Sequence, residues 1–391
     1  MDVLTIGKMV AGLVLLVAGA EGLVRGASRL ASTLGISSLV IGLTIVSIGT
    51  GSPEIAVSVQ AAATGAGSLA IGNVVGSNIF NLLFILGMCG VITTTRVANQ
   101  LVRFDVPVLL GGSALLYVQS LDARLDLFPD GILLLVLLVA YMVLTYRIAR
   151  ADEAKKMPEH ETVLGKGIVG STETEAKSRL TSWRGWLFNG GLILVGIVLL
   201  VLGANWLVEG AVAIATALRI DPLVIGLTIV AAGTGLPEAA TSIVAAMRGE
   251  RDIAVGNAIG SSVFNIFGVL GLSVIFAQGS LIVVDPVVVR FDIPVMIGAT
   301  LLCLPVFVSG FVVRRLEGTL FLMLYVAYTT FLVLKAVQSD GIDEFTDIME
   351  WGVFPMLALL VVIMPLLAWR DWREQRRLRV LGEVAARDRP R

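Results

Sequence analysis

The chain has 391 residues, of which 15% are charged, and its mean hydropathy is +0.90. Soluble globular domains carry about 25% charged residues, so the composition excludes an ordinary soluble domain. The formal net charge is −1, and no basic and aromatic cluster indicates a nucleic-acid partner. The single histidine, His160, lies in a polar segment, which argues against a zinc or catalytic site built on histidine.

Apolar segments recur along the whole sequence, each long enough for a helix to cross a bilayer core of about 30 Å. They are continuously apolar, whereas the strands of a membrane barrel alternate apolar and polar residues. We therefore predict an all-α polytopic membrane protein whose partner is the lipid bilayer. Eleven spans are expected at 6–32, 37–63, 68–92, 102–120, 127–147, 186–216, 221–247, 252–277, 288–309, 316–337 and 352–369.

An internal repeat relates the two halves of the chain. Residues 39–87 align without a gap with residues 223–271, and more than half of the aligned positions are identical. Each repeat then holds five spans, and an odd number requires the halves to enter the membrane from opposite sides, as in many secondary transporters. The predicted fold is two inverted five-helix repeats (5+5) plus one extra C-terminal transmembrane helix.

The predicted domains follow from this repeat. They are a first repeat at 1–147, a polar loop at 148–185, a second repeat at 186–337, and an extra helix with a basic tail at 338–391. Cytoplasmic segments of membrane proteins carry an excess of Lys and Arg. We therefore expect a multi-pass protein of the plasma membrane with its N-terminus outside and its C-terminus in the cytoplasm. The eleventh span could form a contact between two copies of the chain.

Two short segments, GTGSPE at 49–54 and GTGLPE at 233–238, place helix breakers inside an apolar span of each half. Proline has no backbone donor and its ring clashes with the preceding turn. Carbonyl groups freed by a break inside a membrane need partners or a cavity. The pattern predicts a broken helix near the membrane midplane, and the residues that would cause the breaks are Gly49, Gly51, Pro53, Gly233, Gly235 and Pro237.

A carboxylate follows each predicted break, as Glu54 and Glu238. Intramembrane carboxylates are costly and usually functional. Together with carbonyl oxygens they make the hard-oxygen site that Ca²⁺ prefers. A proline kink with a neutral carboxylate is an adequate explanation for one copy. It is a poor one for two copies that inverted repeats can bring together near a pseudo-two-fold axis.

A second paired motif, GNVVGSNIFN at 72–81 and GNAIGSSVFN at 256–265, supplies neutral oxygen atoms. In each copy a serine and an asparagine are four residues apart and share one helical face. The motif glycines have the small-xxx-small spacing that allows close helix packing. Asn73, Asn257 and Asn78 are compatible both with interhelical hydrogen bonds and with ion contact.

The paired G-T-x-x-P-E and G-N-x-x-G-S-x-x-x-N segments resemble the two alpha-repeats of the calcium/cation antiporter superfamily, in its prokaryotic sodium/calcium exchanger branch. The resemblance covers roughly residues 5–337. It implies alternating access, with the second, third, seventh and eighth spans around the ions and the first and sixth sliding against them. It also implies a cation-binding set comprising Glu54, Glu238, the side chains of Ser77, Ser261, Asn81 and Asn265, and the carbonyls of Ser47, Thr50, Ala231 and Thr234.

This chain departs from the family pattern at two pairs of positions. Gly51 and Gly235 stand where the family often has serine, and asparagine occupies both 81 and 265, where some members carry one aspartate. The site then has two carboxylates, which balance one Ca²⁺, two Na⁺ or two H⁺. A larger Na⁺ load would leave excess positive charge in a low-dielectric cavity.

The resemblance therefore predicts a secondary antiporter that exports Ca²⁺ in exchange for Na⁺, and H⁺-coupled exchange of Ca²⁺ or another divalent cation is the alternative. A cation channel and an intramembrane enzyme are less favoured. No Ser/Lys, Ser/His or HExxH arrangement in the spans favours an enzyme. No cofactor is expected beyond the transported ions.

The remaining intramembrane charges are predicted to be interfacial or structural, and for Glu21, Arg25 and Glu209 the alternative is that they tune the sliding helices. Glu21 and Arg25 are one helical turn apart and can pair locally, while Glu209 takes the place of Arg25 in the second half. Asp105 and Asp292 each follow an arginine at the start of a span, and we expect both to be anchors at the membrane interface.

Overall fold

The computed structural model describes residues 3–34, 36–163, 183–218, 231–308 and 311–337. Within these ranges the chain is almost wholly helical. Eight helices of the described residues are long and apolar enough to cross a membrane, or nine if one bent pair is counted as a single span. The prediction of an all-α polytopic membrane protein is confirmed. The expected span at 352–369 and the first part of that at 221–247 lie outside the described residues.

The helices are labelled in chain order with their π-helical turns included. They are α1 (Val3–Leu34), α2 (Ser38–Thr50), α3 (Ser52–Ala63), α4 (Gly67–Ile92), α5 (Leu101–Asp122), α6 (Leu127–Ile148), α7 (Trp183–Ala217), α8 (Ala231–Thr234), α9 (Leu236–Met247), α10 (Arg251–Phe276), α11 (Val288–Val308) and α12 (Arg315–Ala336). α6 continues as a helix to Val163, so the first part of the predicted polar loop is helical.

α4 and α10 lie at the centre of the protein. In their most apolar windows, 72% and 83% of the residues are buried, against 17% in α6 and 6% in α12. α2 packs on α10, and α3 packs on α4. Because α4 and α10 carry the second sequence motif and α3 and α9 carry the two glutamates, the most enclosed part of the protein is also the part richest in predicted ligands.

Close packing of α2 on α10 depends on small residues. A Cβ atom at Gly260 would lie 2.6 Å from Leu43 Cα, and one at Gly256 would lie 3.0 Å from the Leu39 carbonyl oxygen. Both distances are too short for a side chain, so these two motif glycines have the packing role that their spacing predicts. The counterpart segment in the second half, 223–230, lies outside the described residues.

α1 and α7 cross through two reciprocal glycine contacts. A Cβ atom at Gly12 would lie 2.8 Å from the Gly203 carbonyl oxygen, and one at Gly203 would lie 2.7 Å from that of Gly12. Gly19 and Gly196 repeat this contact at 2.7 and 2.8 Å. Gly196 and Gly203 are the counterparts of Gly12 and Gly19 at the repeat offset of 184 residues. Exchanging the two halves therefore exchanges the two contacts.

Four short strands join the connectors between spans. They are β1 (Thr95–Arg96), β2 (Arg124–Asp126), β3 (Leu281–Val283) and β4 (Val312–Val313). β1 pairs antiparallel with β4, and β2 pairs antiparallel with β3. In both pairs, the first connecting strand of one half meets the second connecting strand of the other. The strand pairing therefore has the same reciprocity as the glycine contacts.

Charged residues near the end of α1 form contacts beyond the predicted local pair. Glu21 accepts from Arg25, as expected, and also from Arg248 in the turn between α9 and α10. In the same turn, Glu250 accepts a hydrogen bond from Ser28 Oγ at 2.7 Å. These contacts join α1 to the core helices. Their residues are partly exposed, so they contribute little to the free energy of folding.

The prediction that the two aspartates are interface anchors is wrong for Asp105. This side chain is fully buried, and its Oδ1 accepts from Tyr141 Oη at 3.0 Å. Asp292 repeats the contact with Tyr328 at 2.9 Å. In each case the tyrosine lies 36 residues further on, in the next span. The aspartates therefore join α5 to α6 and α11 to α12.

The glycine contacts between α1 and α7 predict a stability difference between neighbouring substitutions. Gly19→Ala places a methyl group against the backbone of α7, and we expect the free energy of unfolding to fall by about 1–3 kcal/mol. The matched control is Gly22→Ala on the same helix, where a Cβ atom meets the Leu192 carbonyl oxygen at an ordinary 3.5 Å. Thermal unfolding in detergent measures both variants, and equal stability of the two would contradict the close crossing.

Candidate cation-binding site

Both halves of the chain have a helix that breaks at a glycine. α2 and α3 meet at Gly51 with a bend of 48°, and α8 and α9 meet at Gly235 with a nearly identical backbone conformation (φ −74°, ψ 6° against φ −80°, ψ 1°). Pro53 and Pro237 lie at the start of the new helix, where proline's missing N–H group has no helical partner to lose. The breaks therefore occur within the two segments in which the sequence places proline and glycine.

The carbonyl groups at the first break are only partly released. The Ser47 carbonyl oxygen still accepts from the Gly51 N–H group at 3.0 Å, because the helix turns away only after this bond is made. The break therefore does not fully release this carbonyl, a ligand implied by the resemblance, and only its second lone pair is left for a cation. Pro53 has no N–H group for the Gly49 carbonyl oxygen, which accepts from Ser52 Oγ at 2.9 Å instead.

The two carboxylates lie in the first turns of α3 and α9. Glu54 and Glu238 are each only 1% exposed. One carboxylate oxygen of each has no hydrogen-bond partner among the described residues. Burying an ionised carboxylate without a partner is very costly, so a positive charge at this place would stabilise the protein.

Of the thirteen unpartnered buried side-chain atoms among the described residues, seven belong to the predicted ligands. Native proteins pair about 90% or more of their buried polar groups, so such a concentration indicates a missing partner. Most of these atoms are oxygens, as a hard cation requires. Within the described part of the chain, the predicted side-chain ligands with such an atom are Glu54, Glu238, Ser77, Ser261, Asn81 and Asn265.

Asn73 and Asn257, for which the sequence left two roles open, form interhelical hydrogen bonds. Asn257 Oδ1 accepts from Thr50 Oγ1 at 3.2 Å, and its Nδ2 donates to Ser242 Oγ at 2.9 Å. Asn73 makes the equivalent contacts with Thr234 (3.4 Å) and Ser58 (2.9 Å). Each asparagine thus joins the break of the opposite half to the helix that follows its own break.

Asn257 also brings the two carboxylate segments together. Its Nδ2 donates to the main-chain oxygen of Glu238 at 3.2 Å, while its Oδ1 is held by Thr50, four residues before Glu54. One side chain therefore joins the first break to the residue that carries the second carboxylate.

Two features of the site were not predicted from the sequence. Thr241 is fully buried, its hydroxyl has no hydrogen-bond partner among the described residues, and it lies one turn after Glu238. Its counterpart is Val57, so comparison of the repeats does not point to it. Asn81 and Asn265 lie in π-helical turns, Phe80–Ile85 and Asn265–Val269, which often occur at functional sites.

Comparison with known proteins agrees with this geometry. The family model described as sodium/calcium exchanger protein matches residues 4–147 and again residues 188–334. The sodium/calcium exchanger MaX1 of Methanosarcina acetivorans is 34% identical over 343 residues, covering 82% of this chain and 96% of the relative. The inner membrane protein YrbG of Escherichia coli is 35% identical over 295 residues, covering 74% and 84%.

A solved structure of the sodium–calcium exchanger NCX_Mj has the same fold. It superposes with a TM-score of 0.68 at 30% sequence identity, covering 83% of this chain and 98% of that one. The family model matches both halves of the chain, and its two matched ranges include both copies of the motif that carries a buried glutamate. The protein therefore belongs to the sodium/calcium exchanger family, in its prokaryotic branch.

Proposed function

We propose that the protein is a secondary active antiporter that exports Ca²⁺ in exchange for Na⁺ at a single midplane site. One observation carries this proposal: buried oxygen atoms without partners coincide with the two glutamates and four neutral side chains of the paired motifs. Membership of an exchanger family supports cation antiport in general. The proposed cargo is Ca²⁺ and a monovalent counter-ion, and no resident cofactor is needed.

The proposed architecture is two inverted five-helix repeats followed by an extra C-terminal helix. The reciprocal glycine contacts and the reciprocal strand pairs support a two-fold relation between the halves. The domain limits remain those given by the sequence, with repeats at 1–147 and 186–337. We place the protein in the plasma membrane with its N-terminus outside, because Lys and Arg then gather on the cytoplasmic side.

The charge of the site limits what it carries. Among the described residues, no group of three or more His, Cys, Asp or Glu side chains is placed to bind a metal ion. Two carboxylates balance one Ca²⁺ or two monovalent ions, and any further charge would be unpaired in a low-dielectric interior. We therefore propose that one Ca²⁺ exchanges for two monovalent ions, so that the cycle moves no net charge.

H⁺-coupled exchange of Ca²⁺ or another divalent cation is the alternative. Gly51 and Gly235 supply no hydroxyl groups, which removes two oxygen atoms suited to Na⁺. Two protons would neutralise the same two carboxylates without any other ligand. An empty site with two buried negative charges would oppose the passage of an unloaded protein between its two orientations, which would enforce exchange over leak. A cation channel is less favoured, because the inverted pair of broken helices argues against it.

Alternating access would move α1 and α7 against the remaining helices. These two helices pack on each other along their length, and α1 is joined to the turn between α9 and α10 by Arg248 and Glu250. Sliding of α1 would have to break these polar contacts, which are weak enough to allow it.

Replacing either glutamate with glutamine tests the proposed site. Glu54→Gln or Glu238→Gln removes one of two charges that balance Ca²⁺, and we expect Ca²⁺ uptake by proteoliposomes to fall at least about 100-fold, as when one partner of a buried ion pair is removed. The control is Glu209→Gln, the same change at an exposed side chain of α7. Normal flux in either variant would remove that glutamate from the site.

The counter-ion and charge balance are tested in vesicles loaded with radiolabelled Ca²⁺. We expect efflux only when Ca²⁺, Na⁺ or a proton gradient is supplied outside, and no change in rate when a potassium diffusion potential is imposed. Dependence on external Na⁺ at constant pH supports Na⁺ coupling, and dependence on pH alone supports the alternative. Efflux without any counter-ion would contradict exchange, and a rate that follows the potential would contradict two-for-one coupling.

A further inference from the structure

The two halves of the site differ where their core helices meet. Asn78 in α4 and Ser262 in α10 are counterparts at the repeat offset of 184 residues. They touch each other, since Asn78 Nδ2 donates to the main-chain oxygen of Ser262 at 3.2 Å. The position that faces its own counterpart therefore carries an amide in one half and a hydroxyl in the other. Asn81 and Asn265, the predicted ligands near this position, therefore have different surroundings in the two halves.

The orientation of the Asn78 side chain follows from its contacts. A main-chain carbonyl can only accept, so the NH₂ end of Asn78 must face Ser262. Met296 Sδ, a weak acceptor, lies 3.5 Å from the same Nδ2 atom. The oxygen of Asn78 then faces Asn265, and because this oxygen can only accept, Asn265 must present its own NH₂ group, at 3.3 Å. Asn265 Oδ1 is left buried and without a partner among the described residues.

Asn81, the counterpart of Asn265, has no such support. Both ends of its carboxamide are buried and unpartnered among the described residues. Ser262 is the counterpart of Asn78 and would have to orient Asn81 in the same way. Its hydroxyl instead donates to the Ala258 carbonyl oxygen of its own helix at 2.9 Å. Nothing in the described structure therefore selects between the two orientations of the Asn81 amide.

We propose that Asn78 is a positioning residue that holds Asn265 with its oxygen towards the cation, while Asn81 is an adaptable ligand that turns its oxygen inwards only when a cation binds. This inference rests on the proposed function, because it concerns the same site. A ligand fixed in advance contributes more to affinity than one that must be ordered on binding. The two asparagines, although identical in sequence, make unequal contributions.

The first test replaces Asn78 with serine, the residue that the second half has at this position. In Asn78→Ser the carboxamide of Asn265 is no longer oriented, and we expect the dissociation constant for Ca²⁺ to rise about three- to tenfold, the equivalent of one neutral hydrogen bond. The maximal transport rate should change less than about twofold, because bound Ca²⁺ still orients the ligand. Calorimetric titration with CaCl₂ and initial rates in proteoliposomes give the two quantities.

A double-mutant cycle separates positioning from a merely structural role. In an Asn265→Ala background there is no carboxamide to orient, so Asn78→Ser should not weaken Ca²⁺ binding further. A structural role predicts that the two losses add and that Asn78→Ser lowers the unfolding temperature to the same extent in both backgrounds. Additive losses, or an unchanged dissociation constant in Asn78→Ser alone, would overturn the proposal.

A swap variant keeps the test available if Asn78→Ser does not fold. Asn78→Ser combined with Ser262→Asn preserves the residues at the contact but moves the amide to the other half. We expect it to bind Ca²⁺ with near wild-type affinity, and Asn81→Ala should now cost more than Asn265→Ala. If Asn265→Ala still weakened Ca²⁺ binding more than Asn81→Ala in this variant, as the proposal expects in the wild type, the positioning role would be refuted. A wild-type protein that binds no Ca²⁺ would instead refute the proposed function itself.

Discussion

A buried ionised carboxylate needs a positive charge, and the structure is arranged around two carboxylates that none of the described residues neutralises. Glu54 and Glu238 are enclosed by the most buried helices of the described chain, yet no Lys or Arg there pairs with them. Desolvation of an unpaired ion is among the largest penalties that a fold can carry. In the proposed function, a transported cation supplies the missing charge.

The asparagines divide into those that hold the scaffold and those that are left for an ion. Asn73 and Asn257 use both ends of their amides on Ser and Thr side chains, and Asn257 also donates to the main-chain oxygen of Glu238. Asn81 and Asn265 keep oxygen atoms without a partner. Residue type alone does not distinguish these pairs, because all four lie in the same paired motif. The difference comes from which helix faces each side chain.

The sequence was sufficient for the helical, multi-span class of the protein, the two helix breaks and the identity of the buried glutamates, because these depend on local chemistry: hydropathy, proline, glycine and intramembrane charge. It was not sufficient for contacts made between distant segments. The partner of Asp105 lies 36 residues away in the next helix, and no local pattern indicates it. The contact of Glu21 with Arg248 likewise depends on how α1 lies against the core. The Ser47 carbonyl keeps a helical hydrogen bond to Gly51, because the proline at position 53 affects the carbonyl four residues before it, that of Gly49.

The strand pairs have a mechanical consequence. Since β1 pairs with β4 and β2 pairs with β3, backbone hydrogen bonds join the two halves at two separate places. Neither half can rotate as an independent unit without breaking both sets of hydrogen bonds. Large-scale rocking of one half on the other is therefore disfavoured in this architecture. α1 and α7 carry none of these strands, so the strand pairs do not restrict the movement of these two helices that the proposed function requires.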